Sequence, residues 1–361
     1  MLGEPTGPYH RLVAPTAYAR LTRFALWALA AIVVTGVSVR LTGSGLGCED
    51  WPACSQDRFL ADLEFHALVE FVNRLFTGVV AVAVLGAVLG AWRRRPRRAD
   101  LAWLSLGLVA GVLAQVGLGA LLVLSELDPR FTMGHFLLSM VLLWNASLLD
   151  VKARDFEPGD PGRAVELAGD DASRSERRGG EDDQDDAGDT GGTAGTGDTD
   201  GTGGTDGTGG TDGVTRLLVW AVMTVAAVLL VSGTLVTGAG PHAGDSRAER
   251  LPLLVREVVR VHSVIAIALL VLVIWAWWRM RASGSSEQVR MRRIAELLIV
   301  QAAVGYAQYF LGVPVLLVGI HVTLASITWI QIVKAAYAGA SPRSGRPDSR
   351  PSDFRPLIGT T

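Results

Sequence analysis

The sequence predicts an all-α integral membrane protein, with eight transmembrane helices arranged as two parallel four-helix repeats. Three observations predict it. Eight stretches of roughly 20 residues are apolar and nearly free of charge, and about 20 residues rising 1.5 Å each cross a hydrocarbon core. Arginine and lysine gather at both termini and after the second and sixth stretches. Short motifs of the first half recur in the same order in the second. In lipid a backbone must satisfy its own hydrogen bonds, so these runs are read as helices, not strands.

The expected spans are 21–39, 67–91, 101–123, 133–150, 216–237, 258–279, 294–312 and 315–337. The first follows a polar start with Arg11, Arg20 and Arg23 and lacks a small-residue cleavage site, so it reads as a helix and not a signal peptide. The connection after span two holds Arg93, Arg94, Arg95, Arg97 and Arg98, and that after span six holds Arg279, Arg281, Arg290, Arg292 and Arg293. The tail holds Lys334, Arg343, Arg346, Arg350 and Arg355. Eight spans put all of these on one side, which the positive-inside rule makes cytoplasmic. Arg247, Arg250 and Arg256, on the opposite side, are a minority against that rule. The expectation is a multi-pass cell-membrane protein with both termini cytoplasmic, in contact with membrane lipid and with no nucleic-acid partner.

A formal net charge of -2 conceals an uneven distribution: residues 155–213 hold seventeen Asp/Glu against four Arg. From Gly191 onward this segment is a near-repeat of Gly, Thr and Asp, with few apolar groups to offset ordering entropy, so it reads as a disordered linker. The organisation expected is a tail (1–20), a first four-helix half (21–150), an acidic cytoplasmic linker (151–215), a second half (216–337) and a second tail (338–361). The halves are related by motif. Val34-Thr35-Gly36 matches Val231-Ser232-Gly233, and Ala114-Gln115 with Leu118-Gly119 matches Ala307-Gln308 with Leu311-Gly312. Each half starts on the same side, so the repeat axis runs along the membrane normal.

Of the six histidines, His10 lies in the tail and His242 in an outer loop, and neither is given a role. His66, His135, His262 and His321 lie in or at the ends of spans two, four, six and eight, all toward the outer face. Polar groups in a membrane are expensive and mark function. Neutral imidazole binds zinc, copper or heme iron. A structural zinc site needs four Cys/His ligands together, and no cysteine lies within a span. Two facing helices with one His each make an axial pair for a flat macrocycle, which His262 and His321 suit best. Arg260, beside Glu257, is either a partner for a heme propionate or an interfacial anchor. In span two, His66, Glu70, Asn73, Arg74 and Thr77 share one helical face, either as a Glu–Arg clamp between helices or as a reactive face aimed at a substrate. Alignment of the halves puts Asn73, not His66, opposite His262. The two cysteines, Cys48 and Cys54, fall in the first outer loop, where a disulfide is preferred over metal binding or a transient redox role.

Arg40-Leu41-Thr42-Gly43-Ser44-Gly45-Leu46-Gly47-Cys48, with Asp50-Trp51-Pro52 and Cys54, resembles the first outer loop of heme A synthases, and Glu70-Phe71-Val72-Asn73-Arg74 resembles their second-span motif. The resemblance extends over nearly all of the chain outside 155–213 and the tails. It implies oxidation of the C8 methyl group of heme O to a formyl group through successive hydroxylations, giving heme A for terminal oxidases. It also implies a resident heme b on His262 and His321, heme O in the first half with His135 on its iron, and Glu70 as the essential carboxylate, next to Arg74. Implied partners are a quinol or redox protein as electron donor, a heme O synthase and oxidase assembly factors. One position departs: many relatives carry His where this chain has Asn73. His66 lies two turns away, about 11 Å, so the fourth ligand is either His66 with a shifted heme or an open iron face.

Two other classes fit parts of the pattern. A di-heme b-type electron carrier, linked to quinol, shares the histidines but does not call for Glu70 or the cysteine loop. A transporter suits a duplicated bundle but calls for broken helices near the midplane, whereas the polar residues here cluster toward one end.

Overall fold

The computed structural model describes residues 13–47, 64–155, 208–246, 248–281 and 286–338. Among these, eight long helices and no sheet are found. They are α1 (Pro15–Leu41), α2 (Phe65–Arg93), α3 (Ala99–Leu124), α4 (Pro129–Arg154), α5 (Thr208–Ala239), α6 (Val255–Met280), α7 (Ser286–Phe310) and α8 (Val315–Ala338). Seven are long and apolar enough to cross a membrane. The exception, α7, opens with Glu287, Arg290, Arg292, Arg293 and Glu296 before its apolar half, yet it packs against α6 and α8 like the others. The chain is thus a multi-pass membrane protein.

Local chemistry sets the helix ends. Pro15 and Pro129 stand in the first turns of α1 and α4, where a missing N–H costs nothing. The Asp128 carboxylate caps α4 by accepting the Arg130 amide at 2.8 Å. Most helices overrun their apolar runs, because the backbone ladder continues past the hydrocarbon edge. Two boundaries move as a result: α5 begins at Thr208, inside the stretch expected as linker, and α7 begins at Ser286 instead of 294. Cys48, Cys54, His10, most of the linker and the far tail lie outside the described residues.

Each half closes into a ring: α1 packs on α2, α2 on α3, α3 on α4 and α4 on α1, and α5 through α8 repeat the circuit. The even-numbered helices of each half therefore lie on a diagonal, facing one another across the bundle interior. The halves meet through α4 and α8, with α1 on α8 and α5 on α4. This seam holds the large core, including Met140, Leu143, Leu149, Ile330 and Val333. The Trp329 indole donates across it to the Met140 carbonyl at 2.9 Å. At the arginine-rich end, the Asp150 carboxylate is 1% exposed and accepts from Lys334 of the other half at 2.7 Å and from Arg154 at 2.6 Å. Outward-facing Leu113, Val264 and Val271 are exposed, as a lipid-facing surface requires.

The second-half α7–α8 unit repeats α3–α4 at a constant spacing. Both turns carry two successive left-handed residues, Glu126 and Leu127 in one and Gly312 and Val313 in the other. The closing bonds match, with Leu127 N to Leu122 O at 2.8 Å and Val313 N to Gln308 O at 2.7 Å. Gln308 is thus equivalent to Leu122, and the register expected from the Gln115/Gln308 motif is corrected: the partner of Gln115 is Gln301. The sequence Gln301-x-x-x-Gly305 offers a second copy of the motif one heptad earlier, and packing selects it.

Candidate functional site

His66, His135, His262 and His321 stand in the first turns or first half of α2, α4, α6 and α8, which all start at the same end of the molecule. Two polar cradles form there, one in each ring.

In the second ring, His262 and His321 come from the diagonal helices α6 and α8. The Ser232 hydroxyl of α5 donates to the Leu229 carbonyl at 2.8 Å and meets His262 Nδ1 at 2.9 Å. A hydroxyl whose proton is already given must accept from the ring, so Nδ1 carries the hydrogen and Nε2 keeps its lone pair. That is the tautomer an iron ligand needs. Gly233 makes room beside it: a Cβ built there would lie 3.2 Å from His262 Cε1. The Gln301 amide of α7 donates to the His321 carbonyl at 3.0 Å. A Cβ on Gly305 would lie 3.1 Å from His321 Cε1.

The first ring repeats these parts with one exchange. The Gln115 amide donates to the His135 carbonyl at 3.1 Å, and Gly119 lies beside the ring. Nδ1 of His135 and of His321, and Oε1 of Gln115 and of Gln301, are buried without a hydrogen-bond partner in both halves, which marks a duplicated cradle and not a packing accident. The place of Ser232 is taken by Thr35, whose hydroxyl meets Asn73 Oδ1 at 2.8 Å. Asn73 is therefore the equivalent of His262, as the alignment of the halves expected. A Cβ on Gly36, the counterpart of Gly233, would meet nothing within 4 Å, because the amide is shorter than an imidazole.

The remaining span-two residues are peculiar to this half. Glu70 is 5% exposed, and its carboxylate accepts from Arg74 Nε at 3.1 Å and from the Arg74 terminal nitrogen as well. Charge-assisted pairing of this kind is what allows the carboxylate to be buried beside a partly buried guanidinium. His66, two turns outward, is exposed, with Nδ1 2.9 Å from the buried Ser44 hydroxyl. Arg260 is not brought to a histidine: its side chain is exposed and paired with Glu257 at 2.7 Å. Two residues along a helix from His262, it points to the other side.

Several contributors carried no sequence signal of their role. Ser44 lies in the loop motif, and Gln301 and Gly305 in a second copy of the Gln-x-x-x-Gly motif, but neither motif told what these residues touch. Arg40 bridges the halves, donating to the His242 carbonyl at 2.7 Å and the Thr237 carbonyl at 3.0 Å, while the Gly45 amide meets the Gly244 carbonyl at 3.0 Å. His242 in turn contacts the Val313 carbonyl at 2.8 Å, a structural part for a histidine given none.

The donor set fits a porphyrin in the second ring. Two imidazoles come from diagonal helices, glycines flank both rings, and one ring is held in the ligating tautomer. Among the described residues no cluster of three or more His, Cys, Asp or Glu forms a metal site of another kind.

Residues 57–166 match the family model described as cytochrome oxidase assembly protein. The heme A synthase of Geobacillus kaustophilus is 30% identical over 144 residues, covering 37% of this chain and 45% of the relative. That of Lysinibacillus sphaericus is 31% identical over 111 residues, covering 30% and 36%. That of Symbiobacterium thermophilum is 32% identical over 121 residues, covering 33% and 39%. The chain thus spans less than half the length of these relatives in its matches. The resemblance to the heme A synthase family read from the loop and second-span motifs is borne out.

Proposed function

On the premise of that kinship with heme A synthases, we propose that this chain oxidises the C8 methyl group of heme O to a formyl group, producing heme A for terminal oxidase assembly. The reading rests on one observation above the rest. The two rings share a cradle, yet only the first adds a buried carboxylate, Glu70, paired with a partly buried guanidinium, Arg74, on the face that carries Asn73.

The division of labour follows from this difference. His262 and His321 would hold a heme b, which supplies one-electron transfer when bound. Ser232 keeps His262 in the ligating tautomer, and Gln301 holds the second turn of α8 and with it the orientation of His321. His135 would hold the iron of heme O, with Gln115 fixing its helix turn in the same way. Glu70 lies one turn from Asn73 on α2 and would receive protons released as the methyl group loses electrons. Arg74 keeps that carboxylate in place and charged until it is needed. Arg260, turned away from the cradle, acts as an interfacial anchor in this scheme.

The test is extraction and chromatography of hemes from membranes expressing the chain with a heme O supply. Wild type should yield heme A. Glu70→Gln keeps a hydrogen-bond acceptor for Arg74 but removes the base, and should lower heme A at least ~100-fold, within the usual worth of a positioned general base, while heme b per chain stays unchanged. Full heme A output from Glu70→Gln would remove its role. Heme b alone from wild type would favour a di-heme electron carrier.

A further inference from the structure

The substitution of Asn73 for a histidine alters what the first site offers to iron. In the second ring, the Ser232–His262 contact consumes Nδ1 and leaves the Nε2 lone pair unused by it. In the first ring, the Thr35 hydroxyl meets Asn73 Oδ1 at 2.8 Å, shorter than its 3.2 Å contact with the Ile32 carbonyl. The carbonyl end of the amide is thereby used, and the Nδ2 hydrogens remain. Where one half presents an electron pair, the other presents N–H donors. A carboxamide N–H cannot ligate iron, but it can donate to something already on it.

We propose that heme O is held by His135 as its only protein ligand, and that Asn73 donates a hydrogen bond to a small oxygen-bearing ligand on the opposite iron face. This deepens the function proposed above and rests on the first ring holding heme O. Three features of the page carry it. The equivalences of His135 with His321 and of Asn73 with His262 put Asn73, not His66, on the axis through the iron. The empty space at Gly36, where a Cβ would touch nothing within 4 Å, is the room an imidazole would have filled. His66 stands two turns away, about 11 Å along α2, with Nδ1 on Ser44 at 2.9 Å, so it lies at the mouth of the cradle and off the axis. The buried Glu70 is one turn from the donor, so a ligand beneath Asn73 would lie near the carboxylate that takes protons.

The probe is azide on the ferric, full-length protein purified with heme O supplied during expression. Azide enters only an open iron face and accepts a hydrogen bond from a donor above it, so a resident heme with two axial histidines is silent. Wild type should bind one azide per chain and show one high-spin heme beside one low-spin heme. Asn73→Leu should keep that high-spin heme and the stoichiometry but bind azide about tenfold more weakly, the worth of one hydrogen bond in a dry site. Asn73→His should turn the first heme low-spin and lose azide binding, copying the second half. His66→Ala should leave spin state and azide affinity at wild-type values. Unchanged azide affinity in Asn73→Leu overturns the proposal. So does a wild type with two low-spin hemes of which one becomes high-spin in His66→Ala. The parent reading fails in a different way: His135→Ala with full heme content and azide binding, or a wild type that never holds a second heme, would show that the first ring is not a heme site.

Discussion

Gly233→Ala is the sharpest probe of the cradle proposed for a resident heme, because its counterpart in the other half is a built-in control. A methyl at residue 233 would lie 3.2 Å from His262 Cε1 and 3.7 Å from Nδ1. Carbon atoms settle at about 3.5–4.0 Å, so the ring must retreat by roughly 0.3 Å. The retreat lengthens the 2.9 Å Ser232 contact toward the limit of a useful hydrogen bond. Loss of an outer partner of a ligating histidine typically weakens metal binding about 10–100-fold, or about 1.4–2.7 kcal/mol. The new alanine should also favour the helix by up to ~1 kcal/mol. Heme retention should therefore fall while stability without heme does not. Gly36→Ala, with nothing within 4 Å, should gain the same helix preference and leave the second heme alone. The assay is transfer of heme b to a scavenging protein, followed optically, with thermal unfolding of the heme-free protein run alongside. Equal heme retention in the two variants would refute the cradle geometry.

Two further perturbations address how the halves are joined. Asp150→Asn leaves the Lys334 and Arg154 cations facing a neutral amide; a broken buried pair costs about 3–5 kcal/mol, and since both cations are partly exposed, about 2–3 kcal/mol is expected in detergent unfolding. Arg292→Ala, which removes an exposed pair with Glu296, should change stability by under ~0.5 kcal/mol, and equal effects from the two would show that the Asp150 clamp does not hold the seam. Arg40→Gln removes two charged donors from carbonyls of the other half, at 2.7 and 3.0 Å. It should speed hydrogen exchange at the Gly45 amide, which meets Gly244 across the same junction, by about tenfold or more, since each such bond is worth about 1.5–3 kcal/mol; unchanged exchange would mean the loop contact stands without Arg40.

The sequence disclosed most of the fold because membrane burial is written in long, coarse signals. A run such as 101–123 needs no partner to be read as a span, and the histidines could be placed at one end by counting spans alone. The second-helix equivalence of Asn73 with His262 was also legible, since Thr35-Gly36 and Ser232-Gly233 anchor it from the neighbouring helix. Register in α7 was not. Gln301-x-x-x-Gly305 and Gln308-x-x-x-Gly312 differ by two helical turns, so both present the same face, and only the depth of His321 distinguishes them. Of the two readings open for Arg260, the interfacial anchor suits its exposed pair with Glu257, because two residues along a helix from His262 turn its side chain to the opposite side. The start of α7 was misplaced because charged turns can extend a helix beyond the lipid edge without any apolar mark.

The unequal chemistry of the halves has a physical basis in their equal scaffolds. The positions of α6 that correspond to Glu70 and Arg74 are Val259 and Ser263, so the second ring never faces the cost of burying an ion pair. With Val259 and Ser263 in place of that pair and an imidazole from each diagonal helix, the second ring suits the proposed role of a cofactor that hands on electrons and remains unchanged. The first ring accepts the opposite terms. It buries Glu70 at 5% exposure, holds it with Arg74, and shortens His to Asn, leaving space above the site. Each of those changes would weaken a resident heme, and each is what a site needs if its heme must enter, react and leave. Restoring Asn73→His should therefore tighten the grip on the substrate heme and slow its turnover together; a variant that held heme O more firmly yet turned it over at the wild-type rate would break the link between open coordination and reaction.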